Sequence, residues 1–195
     1  AIDICLWDIN GKITGQPIHR LLGTCKEVVP VYSSTGFWET KEEYAEEAIK
    51  FKEMGWTAHK IHPHGIAAND IEKSQAVREA VGNDMKLMLD STWAYNYEEA
   101  VRVGRAREEL NYYWYEEPLF DENFHGLREL TRILDIPIIG TEVIAKHPYS
   151  VAECISTRVV DMVRADVSWS GGITATMKTA HLAESFGVQG EIHKA

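Results

Sequence analysis

One repeat limits what this chain can fold into. Short apolar, β-rich runs return about every 26 residues, each followed by a polar stretch patterned for a helix. The runs are VVPVYS (28–33), WTAHKIH (56–62), MKLMLD (85–90), YYWYE (112–116), PIIGTE (137–142), VDMVRAD (160–166) and VQGEIH (188–193). Helix candidates fall between them at 40–55, 96–110, around 125–134, 147–156 and 174–187. The first opens on Thr40 and Glu43, a capping-box pair, and stops at Gly55; the last closes at Gly187. Strands separated by helices need crossover connections and therefore run parallel, so the pattern predicts an α/β protein of the (β/α)-barrel type.

The last polar residue of each strand, from the second onward, is His62, Asp90, Glu116, Glu142, Asp166 and His193, at separations of 28, 26, 26, 24 and 27. In a (β/α) barrel these carboxyl ends share one face, where the βα loops build the active site. An apolar strand end would serve stability equally well. Six titratable ends in register therefore point to function, and they explain why WYEEPLF carries two glutamates directly after an apolar strand. Glu116 belongs to the series, which leaves Glu117 a supporting role.

Asp90, Glu116 and Glu142 end three consecutive strands, and neighbouring strands lie about 4.8 Å apart. Three bare carboxylates that close repel one another. A hard divalent cation with oxygen ligands resolves this, Mg²⁺ first and Mn²⁺ second, because no cysteine or histidine cluster offers softer ligation. The alternative is that each carboxylate pairs with a lysine or arginine. Asp166 and His193 end the next two strands, and a carboxylate that fixes the tautomer of an imidazole makes a proton carrier usable near neutral pH. Lys60 and His62 alternate onto one face of the second strand and form a second candidate pair, either of them able to act as base. His19, His59 and His64 read as surface or packing residues. A divalent cation between two proton carriers suits removal of a proton α to a carboxylate, with the metal stabilising the enediolate.

The net charge of −10 argues against nucleic acid or an anionic membrane as partner and leaves a small molecule as the expected one, a carboxylate substrate by the chemistry above. Cys5, Cys25 and Cys154 are odd in number and widely spaced, which predicts buried free thiols in a reducing cytoplasm. No apolar run reaches 18 residues, so no membrane span is expected.

Taken together, these residues resemble the enolase superfamily and its mandelate racemase subgroup. AIDICLWDINGKITGQPIHRLLG is similar to the segment leading from that family's capping domain into its barrel. LDSTWAY, WYEEPL and GTEVI resemble its three metal-ligand strands, RADVSWSGGIT its dyad aspartate, and GEIH its dyad histidine. The resemblance implies Asp90, Glu116 and Glu142 as Mg²⁺ ligands, Asp166 with His193 as the acid/base dyad, and Lys60 as the first lysine of a Lys-x-Lys pair. It also implies a symmetric homo-oligomer. His62 departs from the second lysine of that pair, and Thr92 stands where an asparagine is frequent. On this reading residues 1–26 are a linker and helix following a missing cap, and 27–195 an incomplete barrel without its last strand. The commonest reaction of the subgroup is dehydration of an acid sugar to a 2-keto-3-deoxy acid. A racemase or epimerase of a 2-hydroxy or amino acid derivative would use the same residues, and a metal-binding barrel without catalysis is a third reading.

Overall fold

The structure is a computed structural model, and it describes residues 2–143 and 147–193. Ile144, the last residue of the GTEVI motif, and the terminal Lys194 and Ala195 lie outside them. The chain begins with helices α1 (Ile2–Thr14) and α2 (Ile18–Leu21), then alternates: β1 (Ser33–Ser34), α3 (Lys41–Glu53), β2 (Ala58–Ile61), α4 (Ala67–Val81) and β3 (Lys86–Asp90). It continues through α5 (Tyr97–Glu109), β4 (Trp114–Glu116), α6 (Phe124–Ile133), β5 (Ile138–Gly140) and α7 (Pro148–Ser156). The last elements are β6 (Met162–Asp166), α8 (Ile173–Phe186) and β7 (Gln189–His193). No helix among the described residues is long and apolar enough to cross a membrane.

Backbone contacts divide the chain into two compact units, a larger one (Val31–Gly140, Thr157–Met162) and a smaller one (Ala1–Pro30, Thr141–Ser156, Val163–Ala195). In the larger unit β1 to β5 pair in chain order, all parallel. Met88 pairs with Trp114 and Asp90 with Glu116. Side chains two apart share a face, so Met88 and Trp114 form an apolar floor beneath the two carboxylates. Ile139 and Met162 complete that cluster. Leu87, Leu89 and Tyr115 point to the opposite face and are fully buried.

Helix α3 begins with the expected capping box: the Thr40 side chain accepts from Glu43 N–H and the Glu43 side chain from Thr40 N–H. The structure adds a helix that periodicity did not predict, α4. Its buried face carries Asp70, Lys73, Ser74 and Arg78 beside Ala67, Val77 and Val81, so the apolar spacing of a surface helix is missing. Strand β1 is a correction as well. Pairing is confined to Ser33–Ser34, while Val28, Val29 and Val31 are exposed and Pro30 has no N–H to donate. Of the three thiols only Cys154 is buried; Cys5 and Cys25 are free and exposed, against expectation.

In the smaller unit, β6 and β7 are sheet neighbours. Helix α8 starts at Gly172, which has no side chain to cap the orphan amides. Asp3 on α1 supplies the acceptor, 3.0 Å from Thr174 N, and Trp7 Nε1 donates to Thr174 Oγ1 at 2.9 Å. Gly172 sits at φ 100° and a Cβ there would overlap the Asp3 carboxylate, so no other residue fits.

Arg78 holds the amino-terminal side of the larger unit together. Its guanidinium donates to the carbonyls of Leu110 (2.8 Å), Gly82 (2.6 Å), Met85 (2.9 Å) and Asn111 (2.8 Å), closing the ends of α4 and α5 and the entry to β3. Arg78→Ala strips a charged donor from four carbonyls and should destabilise the fold by about 3 kcal/mol or more, with Arg78→Lys recovering only part because an ammonium cannot span the four. Urea unfolding measures both.

His59, buried in β2, lies 2.7 Å from Ser33 Oγ through Nδ1, and that hydroxyl points its own proton at Ala58 O. Burial first, and the neighbouring His62 second, push the His59 imidazole down to about 4 from an ordinary 6.5. Below pH 6.5 the unfolded chain takes up a proton that the folded one refuses, so stability is complete above that pH and falls as pH drops toward 4. The loss reaches about 3 kcal/mol. Denaturation midpoints compared between the wild type and His59→Gln over pH 4 to 7 should show this component absent in the variant.

Candidate active site

Sheet register brings the charged groups of the larger unit together. Asp90 and Glu116 end adjacent strands as paired residues and both are buried. Lys60 lies on β2 opposite Met88, one step back on the same face, and its ammonium reaches forward between the carboxylates. Nζ stands 3.1 Å from Asp90 Oδ2 and 2.7 Å from Glu116 Oε2. The side chains of Lys60 and Glu116 are 3% and 0% exposed, so these charges persist only because each satisfies the other. His62, one residue past β2, places Nε2 3.0 Å from Asp90 Oδ2. Alternation across Ile61 thus delivers both members of the Lys60–His62 pair to one carboxylate, as expected. Burial opposes ionisation of Asp90, but the hydrogen bond from His62 and the charge of Lys60 outweigh it and hold the carboxyl well below the usual range.

The other oxygen, Asp90 Oδ1, accepts from Thr92 N–H at 3.1 Å. The turn that achieves this is strained: Thr92 and Trp93 have φ of 48° and 62°. Ser91 N–H to Glu116 O (3.0 Å) and Trp93 N–H to Glu117 O (2.9 Å) pin it to the next strand. Glu117, itself at φ 42°, donates its N–H to Ile139 O and supports the backbone.

The smaller unit holds the other predicted residues. Glu142 follows β5 after Thr141 (φ 81°) has left the ladder. Arg164 Nε lies 3.0 Å from Glu142 Oε2, and both side chains are buried. His193 Nδ1 hydrogen-bonds Glu142 Oε1 and lies 3.7 Å from Asp166 Oδ2. The imidazole is therefore set against two carboxylates, with Glu142 the nearer. Asp166 is fixed through Oδ1 by Ser168 N–H (2.6 Å) and Trp169 N–H (2.9 Å). Sequence reasoning missed Arg164. The signal was present, since in VRAD an arginine two before Asp166 must share its face.

Of the predicted metal ligands, Asp90 and Glu116 belong to the larger unit and Glu142 to the smaller. Asp90 and Glu116 converge on a single cation, the Lys60 ammonium, and offer only oxygen, which suits a hard divalent ion. In the smaller unit one ligand atom each of Glu142, Asp166 and His193 lies within 4.8 Å of the others.

Residues 43–195 match the family described as enolase C-terminal domain-like. The chain is 35% identical over 191 residues to arabinonate dehydratase of Saccharolobus solfataricus, covering 96% of this chain and 51% of that protein. The magnesium-complexed D-glucarate dehydratase from Agrobacterium tumefaciens superposes with a TM-score of 0.95 at 34% identity, over all of this chain and 54% of that one. A dipeptide epimerase from Enterococcus faecalis V583 reaches 0.91 at 26% identity, over 98% of this chain and 55% of that one. The chain spans about half the length of the curated relatives it matches.

Lys60→Met leaves Asp90 and Glu116 facing each other without the ammonium. The Asp90 carboxyl should then titrate at higher pH than in the wild type, followed by carbon NMR of aspartate carboxyls. An unchanged titration would mean that His62 alone holds it.

Proposed function

The chain belongs to the enolase C-terminal domain-like family, the (β/α)-barrel family of the enolase superfamily, and from that premise we propose that the full-length protein is a Mg²⁺-dependent enzyme that removes the proton α to a carboxylate. The reaction we assign is dehydration of an acid sugar, an aldonate or aldarate, to a 2-keto-3-deoxy acid. The observation that carries this reading is the gathering of Asp90 and Glu116 around one cationic centre with His62 on the same oxygen. Similarity to arabinonate and D-glucarate dehydratases supports the substrate class.

In this reading Asp90, Glu116 and Glu142 would hold the ion. When bound, Mg²⁺ would supply Lewis-acid neutralisation of the charge that develops on the substrate carboxylate. The residues of the chain do the rest. His62, oriented through Asp90, takes the α-proton, or Lys60 does so once its ammonium has given up a proton of its own. His193, oriented by Glu142 and Asp166, gives a proton to the departing β-hydroxyl, which leaves as water, and the resulting enol tautomerises to the 2-keto product. Arg164, 3.0 Å from Glu142 Oε2, fixes the direction of that carboxylate.

Racemisation or epimerisation is the second reading, favoured by the likeness to the dipeptide epimerase and by the presence of a proton carrier on each of two carboxylate clusters.

The test is incubation of the full-length protein with Mg²⁺ and a panel of aldonates and aldarates in heavy water, scoring 2-keto product and α-deuterium. Dehydration should appear and vanish with chelator, and His193→Asn should lower turnover by about 10²-fold or more, the scale of a lost general acid. α-Exchange without keto product would replace dehydration by epimerisation.

A further inference from the structure

On the far side of the sheet from the charged cluster, the larger unit buries another carboxylate. Asp70 lies on α4 with no exposed surface, and none of the chemistry above uses it. Its Oδ2 accepts the Tyr95 hydroxyl at 2.7 Å. Burial pushes the Tyr95 hydroxyl upward, so it remains protonated and donates at any ordinary pH.

Two loops meet beside Asp70. Gly65 stands in the loop after β2, three residues past His62. Tyr95 ends the loop after β3, whose first residues follow Asp90. Both loops reach the charged cluster at one end and Asp70 at the other. They also touch: a Cβ built on Gly65, at φ 85°, would collide with Cβ of Ala94. Asp70 is itself anchored, because its carbonyl accepts from Ser74 Oγ at 2.8 Å and from Arg107 Nη2 at 2.8 Å. Arg107 is fully buried and stands 5.3 Å over the Tyr112 ring, whose hydroxyl donates to Ser74 O at 3.0 Å.

A buried carboxylate is costly unless its bonds are kept, so Asp70, in the first turn of the helix that the β2–α4 loop enters, ties the end of that loop to the β3–α5 loop through Tyr95. We propose that Asp70 is a positioning residue that clamps the β2–α4 and β3–α5 loops together and thereby sets the spacing between His62 and Asp90. The left-handed turn at Thr92 and Trp93 is what the clamp holds in place: Tyr95, three and two residues on, is its buried plug, with its own N–H bonded to Pro118 O at 3.3 Å. The catalytic consequence rests on the reading of Asp90 as a metal ligand and His62 as a proton carrier. The clamp itself does not.

The experiment compares the wild type with Tyr95→Phe, Asp70→Asn and Gly65→Ala, and with Thr131→Val as a control that loses a hydrogen bond elsewhere in the same unit, from Thr131 Oγ1 to Leu127 O and Val159 O. Native-state hydrogen exchange is read at the amides of Ser91, Trp93 and Tyr95, with Tyr115 as the reference in the sheet. Each of the three clamp variants should raise loop exchange at least about 10-fold with Tyr115 unchanged, and Thr131→Val should not. Loop and sheet amides accelerating together, or neither accelerating, overturns the clamp. The second readout is Mn²⁺ affinity by electron paramagnetic resonance, with Glu116→Gln as the loss-of-site reference. Tyr95→Phe should weaken Mn²⁺ about 10-fold, the size of effect typical when a group orienting a ligand is removed. A loosened loop with unchanged Mn²⁺ affinity overturns the positioning role. A wild type that does not take up Mn²⁺ overturns the metal-site reading, and the exchange data then still decide the clamp.

Discussion

Two carboxylates on neighbouring strands with one ammonium between them set the terms for the larger unit. Sheet register makes Asp90 and Glu116 direct neighbours, and at about 4 Å two like charges repel by roughly 4 kcal/mol in a partly buried setting. Lys60 reverses the sign of that interaction. Its position is fixed by the same register, because β2 is offset from β3 so that residue 60 lies beside residue 88. The apolar floor of Met88, Trp114 and Ile139 then excludes water from below, which strengthens the attraction and leaves the charges addressable only from the strand ends. An arrangement of this kind is poor at adding stability and good at holding a site ready.

Backbone strain follows the functional groups. Thr92 and Trp93 come two and three residues after Asp90, Glu117 directly after Glu116, and Thr141 directly before Glu142, all with positive φ and none of them glycine. Each such residue costs on the order of 1 kcal/mol or more, and surrounding hydrogen bonds must outweigh it. Those bonds are visible in the carbonyls of Glu116, Glu117 and Pro118 that receive the N–H groups of the turn after β3. The chain turns sharply at each strand end so that a carboxylate, rather than the backbone, faces outward.

Much of this was legible in the sequence, for physical reasons that also explain the gaps. Strand ends were readable because a titratable residue after an apolar run breaks the pattern of a core, and six such breaks at one spacing cannot be separate accidents. That Lys60 and His62 share one face followed from a period of two; that both reach Asp90 Oδ2 is what the structure adds. Helix α4 was hidden because it buries Asp70, Lys73, Ser74 and Arg78, and apolar periodicity cannot report a polar interior. Pairing at β1 was misplaced because three valines around Pro30 look like a strand, yet they remain exposed and Pro30 has no N–H to give to a ladder. The nearness of His193 to Glu142 as well as Asp166 depends on side-chain direction, which spacing along the chain does not carry.

The acceptor that Asp3 lends to the first turn of α8 comes from 171 residues away in the chain. A helix normally carries its own cap and is ready to form as soon as it is made. Here the start of α8 is completed by a residue synthesised long before it, so the loop-closure entropy of nearly the whole chain must be overcome before that helix end is satisfied. Contacts of such long range form late and slowly during folding. On a ribosome the α1 helix would wait, its acceptor unused, until α8 emerged, and a chain interrupted anywhere in between would leave that acceptor without its helix.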